Sequence, residues 1–140
     1  MKTILTIALT LLALNSPVFA GEGHDHGPGQ VQPTRGGILM KGHDFFLEAV
    51  GTKSEIKFYP LKKENSKSNA LKPIPLKDVK ITANYSLPRG KANQPILLSQ
   101  NSDYFSGKVE AGSTHRYQVD VSVEVSNEKE KFTYQIELQE

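Results

Sequence analysis

The chain has 140 residues, 37% of them hydrophobic and 23% charged, with no Cys, no Trp and a formal net charge of +2. That length fits one domain and not two, and the lack of cysteine excludes disulfides, thiolate metal sites, a cysteine nucleophile and a lipidated N-terminal cysteine. A charge so near zero excludes the strongly basic face that nucleic-acid binding requires.

The first predicted element is an export signal. Lys2 gives a positive start, Ile4 to Leu14 form an apolar stretch, and Asn15, Ser16 and Pro17 break it before Val18-Phe19-Ala20. This is the layout of a signal peptide over residues 1–20, cut after Ala20. The apolar stretch is about 11 residues, against the roughly 20 that a membrane-spanning helix needs. Cleavage leaves 120 residues with a net charge of +1 and no membrane span, and localisation is expected to be periplasmic or secreted.

Residues 21–35 follow as a Gly- and His-bearing tail whose one apolar side chain, prolines aside, is Val31. So little apolar surface cannot offset the entropy of ordering, and the expectation is a flexible segment.

Residues 36–140 are expected to form the folded domain, and their hydrophobic period is two. Short runs at Gly37–Lys41, Asp44–Val50 and Glu55–Tyr59 are separated by Gly42-His43 and Gly51-Thr52-Lys53. Lys62 to Pro75, with four lysines and two prolines, reads as a surface loop. Val79, Ile81, Ala83 and Tyr85 then alternate with polar residues, followed by runs at Ile96–Ser99 and Tyr104–Val109. Tyr117 to Val125 and Phe132 to Leu138 are the most regular strands, joined by Ser126 to Glu130 as a hairpin. Residues two apart share one face of a strand, so each run is half-buried. About seven to eight such strands are best satisfied as an all-β, antiparallel β-sandwich, Ig-like or cupredoxin-like. A small closed barrel has the same period and stays open as an alternative.

Gly23-His24-Asp25-His26-Gly27 is the stretch richest in metal-binding chemistry. On an extended chain His24 and His26 project to one side and can converge on one ion, with Asp25 adding an oxygen or steadying an imidazole. The pattern recurs in part at Gly42-His43-Asp44, so His43 joins the candidate ligands. Such donors suit Zn²⁺, Cu²⁺ or Ni²⁺. His24 falls fourth from the expected new terminus, one place too late for an amino-terminal copper site. No Cys is present for a blue-copper centre, and Met40 is the sole methionine after Ala20. Met40 reads as core, and His115, in phase with the stripe of Tyr117 to Val125, as a partly buried histidine near a strand start. No nucleophile elbow, phosphate loop or HExxH motif occurs, so an enzyme is not expected. Lys53 to Lys80 carries eight lysines against three acids, whereas Asp120 to Glu140 carries six acids against two lysines.

His24-Asp25-His26, Gly36-Gly37, Gly42, Phe46-Leu47-Glu48 and Asp103-Tyr104-Phe105-Ser106-Gly107-Lys108-Val109 together resemble small periplasmic β-sandwich domains of heavy-metal efflux adaptors, the membrane-fusion subunits of cation pumps. The resemblance implies an accessory protein in metal handling, with an envelope protein such as an efflux component as partner. Those domains commonly carry His before the Gly-Gly pair, where this chain has Arg35, which is not a metal ligand. Two readings follow. One is a periplasmic protein binding divalent Cu, Zn or Ni through His24, Asp25 and His26, with His43. The other is a metal-free interaction module that docks a sheet edge or its lysine loop on an envelope partner.

Overall fold

The computed structural model describes residues 30–90 and 92–139. Ten strands run in chain order as β1 (Ile38–Lys41), β2 (Phe46–Gly51), β3 (Glu55–Lys63), β4 (Leu71–Pro73), β5 (Val79–Ser86), β6 (Gln94–Ile96), β7 (Leu98–Gln100), β8 (Phe105–Lys108), β9 (Arg116–Val125) and β10 (Glu128–Glu137). One 3₁₀ turn, Leu76–Asp78, precedes β5. All pairings are antiparallel. One sheet has the order β1-β2-β3-β8-β7, with β4 also on β3, and the other the order β10-β9-β5-β6. The expected two-sheet, all-β architecture is what the chain adopts, and no ladder among the described residues closes the two sheets into a barrel.

The two sheets share one core. Leu47, Ala49, Ile56 and Phe58 of the larger sheet meet Ala83, Tyr85, Tyr117, Val119, Val121, Val123, Tyr134 and Ile136 of the smaller. These inward residues are the alternating positions read from the sequence, because period two leaves the intervening side chains on the wet face. Two phenols tie the layers together. Tyr134 Oη donates to the Leu47 carbonyl at 2.7 Å, and Tyr117 Oη to the Thr52 carbonyl at 2.8 Å. Burial pushes both phenols far above the usual range, and Glu48 adds to the shift of Tyr134, so both remain neutral donors.

Three departures from the expected elements have local causes. Lys62 to Pro75 is not simply a loop: β3 continues to Lys63, and Leu71–Pro73 returns to pair with it. The expected strand Ile96–Ser99 is two strands, since Ile96 pairs with Ala83 in one sheet and Leu98 with Gly107 in the other. Leu97, at the crossing, is 89% exposed. The hairpin between β9 and β10 turns on Ser126 and Asn127 alone, both at positive φ (49° and 72°), so β10 starts at Glu128. Positive φ at both turn residues is the geometry that matches strand twist in two-residue hairpins.

A second apolar cluster lies on the outer face of the larger sheet, where Phe46, Tyr59 and Leu61 are joined by Val31, Leu39, Val50, Leu71 and Tyr104. β2 is therefore buried on both faces, and Glu48 with it, at 0% exposure. The Glu48 carboxylate accepts from Thr34 N (2.8 Å), Thr34 Oγ1 (2.9 Å), Arg35 N (2.9 Å) and Gly37 N (3.0 Å). Arg35 pairs with Asp103 at 3.0 Å and lies 4.2 Å from the Tyr59 ring centre. The segment expected to be flexible is thus pinned at its C-terminal end, because a buried carboxylate must find donors and residues 34–37 supply them.

Gly51, read from the sequence as a turn residue, pairs with Ile56 inside β2. A Cβ built there would lie 2.5 Å from Tyr117 Oη and 2.7 Å from Ile136 Cγ2. Gly51→Ala is expected to cost about 1–3 kcal/mol by overpacking, read as a lower urea midpoint. An unchanged midpoint would show that the layers can part without cost.

Candidate metal centre

The turn between β1 and β2 is closed by Gly42 N donating to the Phe45 carbonyl at 2.7 Å. Phe45 is 2% exposed and packs edge-on against Phe132 of β10, with ring centres 6.1 Å apart. Burying this ring fixes His43 and Asp44 at the rim of the sandwich, beside the start of β10. Gly42 leaves no slack, since a Cβ there would meet the Phe45 ring at 3.1 Å and Glu130 Cγ at 3.3 Å. His43 N donates to Glu130 Oε1 at 3.0 Å, a bond from one sheet's turn to the other sheet's strand.

The result is a group of three potential ligands: His43, Asp44 and Glu128, with one ligand atom from each lying within 4.8 Å of the others. His43 and Asp44 are exposed and Glu128 half-buried. The Glu128 carboxyl is pushed above its usual range, first by its hydrogen-bonding approach to Asp44, with partial burial and the charges of Asp44 and Glu130 adding and His43 opposing. Carboxylates crowded this way hold a proton more tightly, or are relieved by a cation. An imidazole and two carboxylates are donor types that Zn²⁺, Cu²⁺ and Ni²⁺ accept. Asp44 and Glu128 also line a pocket of about 220 Å³ with Asp78, Lys62 and Ser126 over an apolar wall that includes Phe45.

Of the sequence-predicted ligands, the structure brings His43 into this group, while His24, Asp25 and His26 lie outside the described residues. Met40 is half-buried against the main core, as is Ile38 of the same strand. His115 is exposed rather than partly buried. It precedes β9, and its carbonyl accepts from Leu138 N at 2.8 Å. Arg35 serves the Asp103 and Tyr59 contacts on the outer face. Asp44 had a sequence signal, the repeated His-Asp pair. Glu128 had none: within the expected Ser126–Glu130 connection it is one more exposed acid, and only the hairpin geometry, which starts β10 at Glu128, carries it to Asp44.

A larger groove of about 520 Å³ runs along the outer face of the smaller sheet, where Lys80, Glu124 and Lys129 face one another across the ladder. Its charges alternate and do not converge, so the His43 group is the better-formed site. The chain matches no family model, and neither a curated protein nor a solved structure shows a match to it.

Proposed function

We propose that this is an exported accessory protein that binds a divalent transition-metal ion, Zn²⁺, Cu²⁺ or Ni²⁺, in metal handling or efflux. The observation that carries the reading is the convergence of His43, Asp44 and Glu128, one of them a ligand expected from sequence, at ligand atoms within 4.8 Å. The N-terminal layout supports export, and the resemblance to efflux-adaptor domains supports the metal-handling role. The cation neutralises a cluster of like charges that the fold otherwise holds together at a cost.

The test is calorimetric titration of Zn²⁺ into protein recovered from the cell envelope, with intact mass establishing that it begins at Gly21. One-to-one binding in the micromolar range is expected, and His43→Ala should weaken it by at least about tenfold, or ~1.4 kcal/mol. Binding should weaken as pH falls, because imidazole must be neutral and the carboxylates ionised to ligate. The raised Glu128 carboxyl makes protons compete at higher pH than for an isolated carboxylate. Retention of residues 1–20 would overturn the export reading, and equal affinity in His43→Ala the assignment of the site.

A metal-free interaction module docking on an envelope partner is the second reading. It is favoured by the β3–β4 hairpin, where Lys62 stands opposite Lys72 and neither takes part in an ion pair among the described residues. Like charges directly opposed cost stability, and an anionic partner would relieve them. A parent protein with no metal affinity would move the assignment here.

A further inference from the structure

We propose that the free edge of β10, beneath the overhang of β1, takes an extended segment of a partner protein as an added strand. The partner's apolar side chains turn inward, and an acidic one lies beside Lys131. This goes beyond the metal-binding reading and does not depend on it.

The overhang follows from the strand order. The chain passes directly from β6 to β7 at Leu97, which sets those two edges one over the other. From there the larger sheet places β8 over β5, β3 over β9 and β2 over β10. Contacts at the far end agree: the Leu47 carbonyl of β2 accepts from Tyr134 of β10, and Gly51 abuts Ile136. Among the described residues β1 is left with no strand of the smaller sheet beneath it. Its inward side chains, Ile38 and Met40, are only half-buried, whereas Ala49 and Leu47 opposite them are 1% and 0% exposed. Phe132, on the β10 side of the same ledge, is also half-buried. A strand added to β10 would lie ~4.8 Å from it and ~10 Å from β1, the ordinary spacings within and between sheets. It would cover all three side chains.

The backbone of β10 is set for such pairing. Leu138 N donates to the His115 carbonyl at 2.8 Å, on the β9 side. Hydrogen-bonded positions alternate along an antiparallel pair, so Lys131, Thr133, Gln135 and Glu137 turn N–H and C=O away from β9. No ladder among the described residues uses those groups. At Glu130 the stretch ends, because His43 N and Gly42 close onto its side chain.

Charge selects the occupant. Lys131 stands in a row with Ser122 and Thr82 and joins no ion pair among the described residues. A lysine on an edge turns away neutral and basic strands, and an acid in the incoming strand would pair with it. The overhang itself excludes a second copy, since pairing β10 with β10 would bring that copy's β2 to where β1 lies. Residues 21–29 of this chain have no apolar side chain, Pro28 aside, to cover the ledge.

The experiment measures binding of labelled synthetic peptides by anisotropy, with a chelator present so that no metal ion contributes. Each peptide has about seven residues, alternating valine with threonine, and carries either glutamate or lysine in place of the central threonine. The parent should bind the glutamate peptide at least about tenfold more tightly than the lysine peptide, and Lys131→Glu should reverse the preference. Thr133→Pro removes an outward N–H and leaves the β9 ladder intact, so it should keep a cooperative thermal transition and lose at least about tenfold in affinity. Bound peptide should slow amide exchange at Lys131, Thr133 and Gln135. No binding by the parent, an unchanged preference in Lys131→Glu, or protection confined to β7 would overturn the proposal. So would a parent dimer that the peptide dissociates, which would make a second copy the occupant.

Discussion

Glu48→Leu is expected to lower stability by about 3 kcal/mol, since removing one partner of a buried charged network costs ~3–5 kcal/mol when no water replaces it. The estimate sits at the low end because the donors of residues 34–37 are only part-buried and can recover water. Glu48 is 0% exposed and accepts four hydrogen bonds, and leucine offers none in return. The segment should then peel away, uncovering Phe46, Tyr59 and Leu61. Two measurements read this: the urea midpoint, and amide exchange at Thr34, Arg35 and Gly37. Glu48→Gln keeps one acceptor oxygen but turns an amide N–H₂ toward backbone donors, so an intermediate loss is expected. A Glu48→Leu protein with parental midpoint and parental exchange would show that the anchor contributes nothing.

Val121→Asp should abolish the native fold. Val121 is 2% exposed in the centre of β9, flanked by Ala83 of β5 and Phe132 of β10. Among the described residues Glu48 is the one buried charged side chain, so no buried base is there to pair with an aspartate. An unpaired carboxylate there costs several kcal/mol, even after it takes up a proton. A domain of this size has roughly 5–15 kcal/mol in total, and without disulfides it has no covalent reserve. Loss of the cooperative thermal transition and of the far-ultraviolet strand signal is expected. Ser122→Asp, one residue along on the wet face, is the control and should be nearly neutral. If both aspartates were tolerated alike, the inward and outward faces of β9 would have been assigned the wrong way round.

The contrast between those two positions shows what was legible from the chain alone. Tyr117, Val119, Val121 and Val123 alternate with polar residues, and so do Tyr134 and Ile136, so their burial follows from the pleat whatever the partner strands are. His43 was legible as well, as an imidazole beside a carboxylate in a glycine turn. Glu48 was not. Between Leu47 and Ala49 it reads as an outward residue, and it does point outward. What the alternation could not contain is that residues 31–37 lie over that face. Gly51 and Leu97 failed for the same reason: one looked like a turn and the other like mid-strand, and the neighbouring sheet decided both.

Hydrophobic period, turn residues and the lack of cysteine determined by themselves that this is an all-β domain held by packing, because the pleat sets which side chains share a face, whereas two open sheets rather than a closed barrel came from the tertiary pairing. Register and covering were decided only by the tertiary structure. Asp44 and Glu128 stand 84 positions apart in the chain, and no local preference relates them. They meet because Phe45 must be buried against Phe132, and because a two-residue turn at Ser126 and Asn127 starts β10 at Glu128. Shifting that turn by one residue would send Glu128 to the opposite face, with every local propensity of the sequence unchanged.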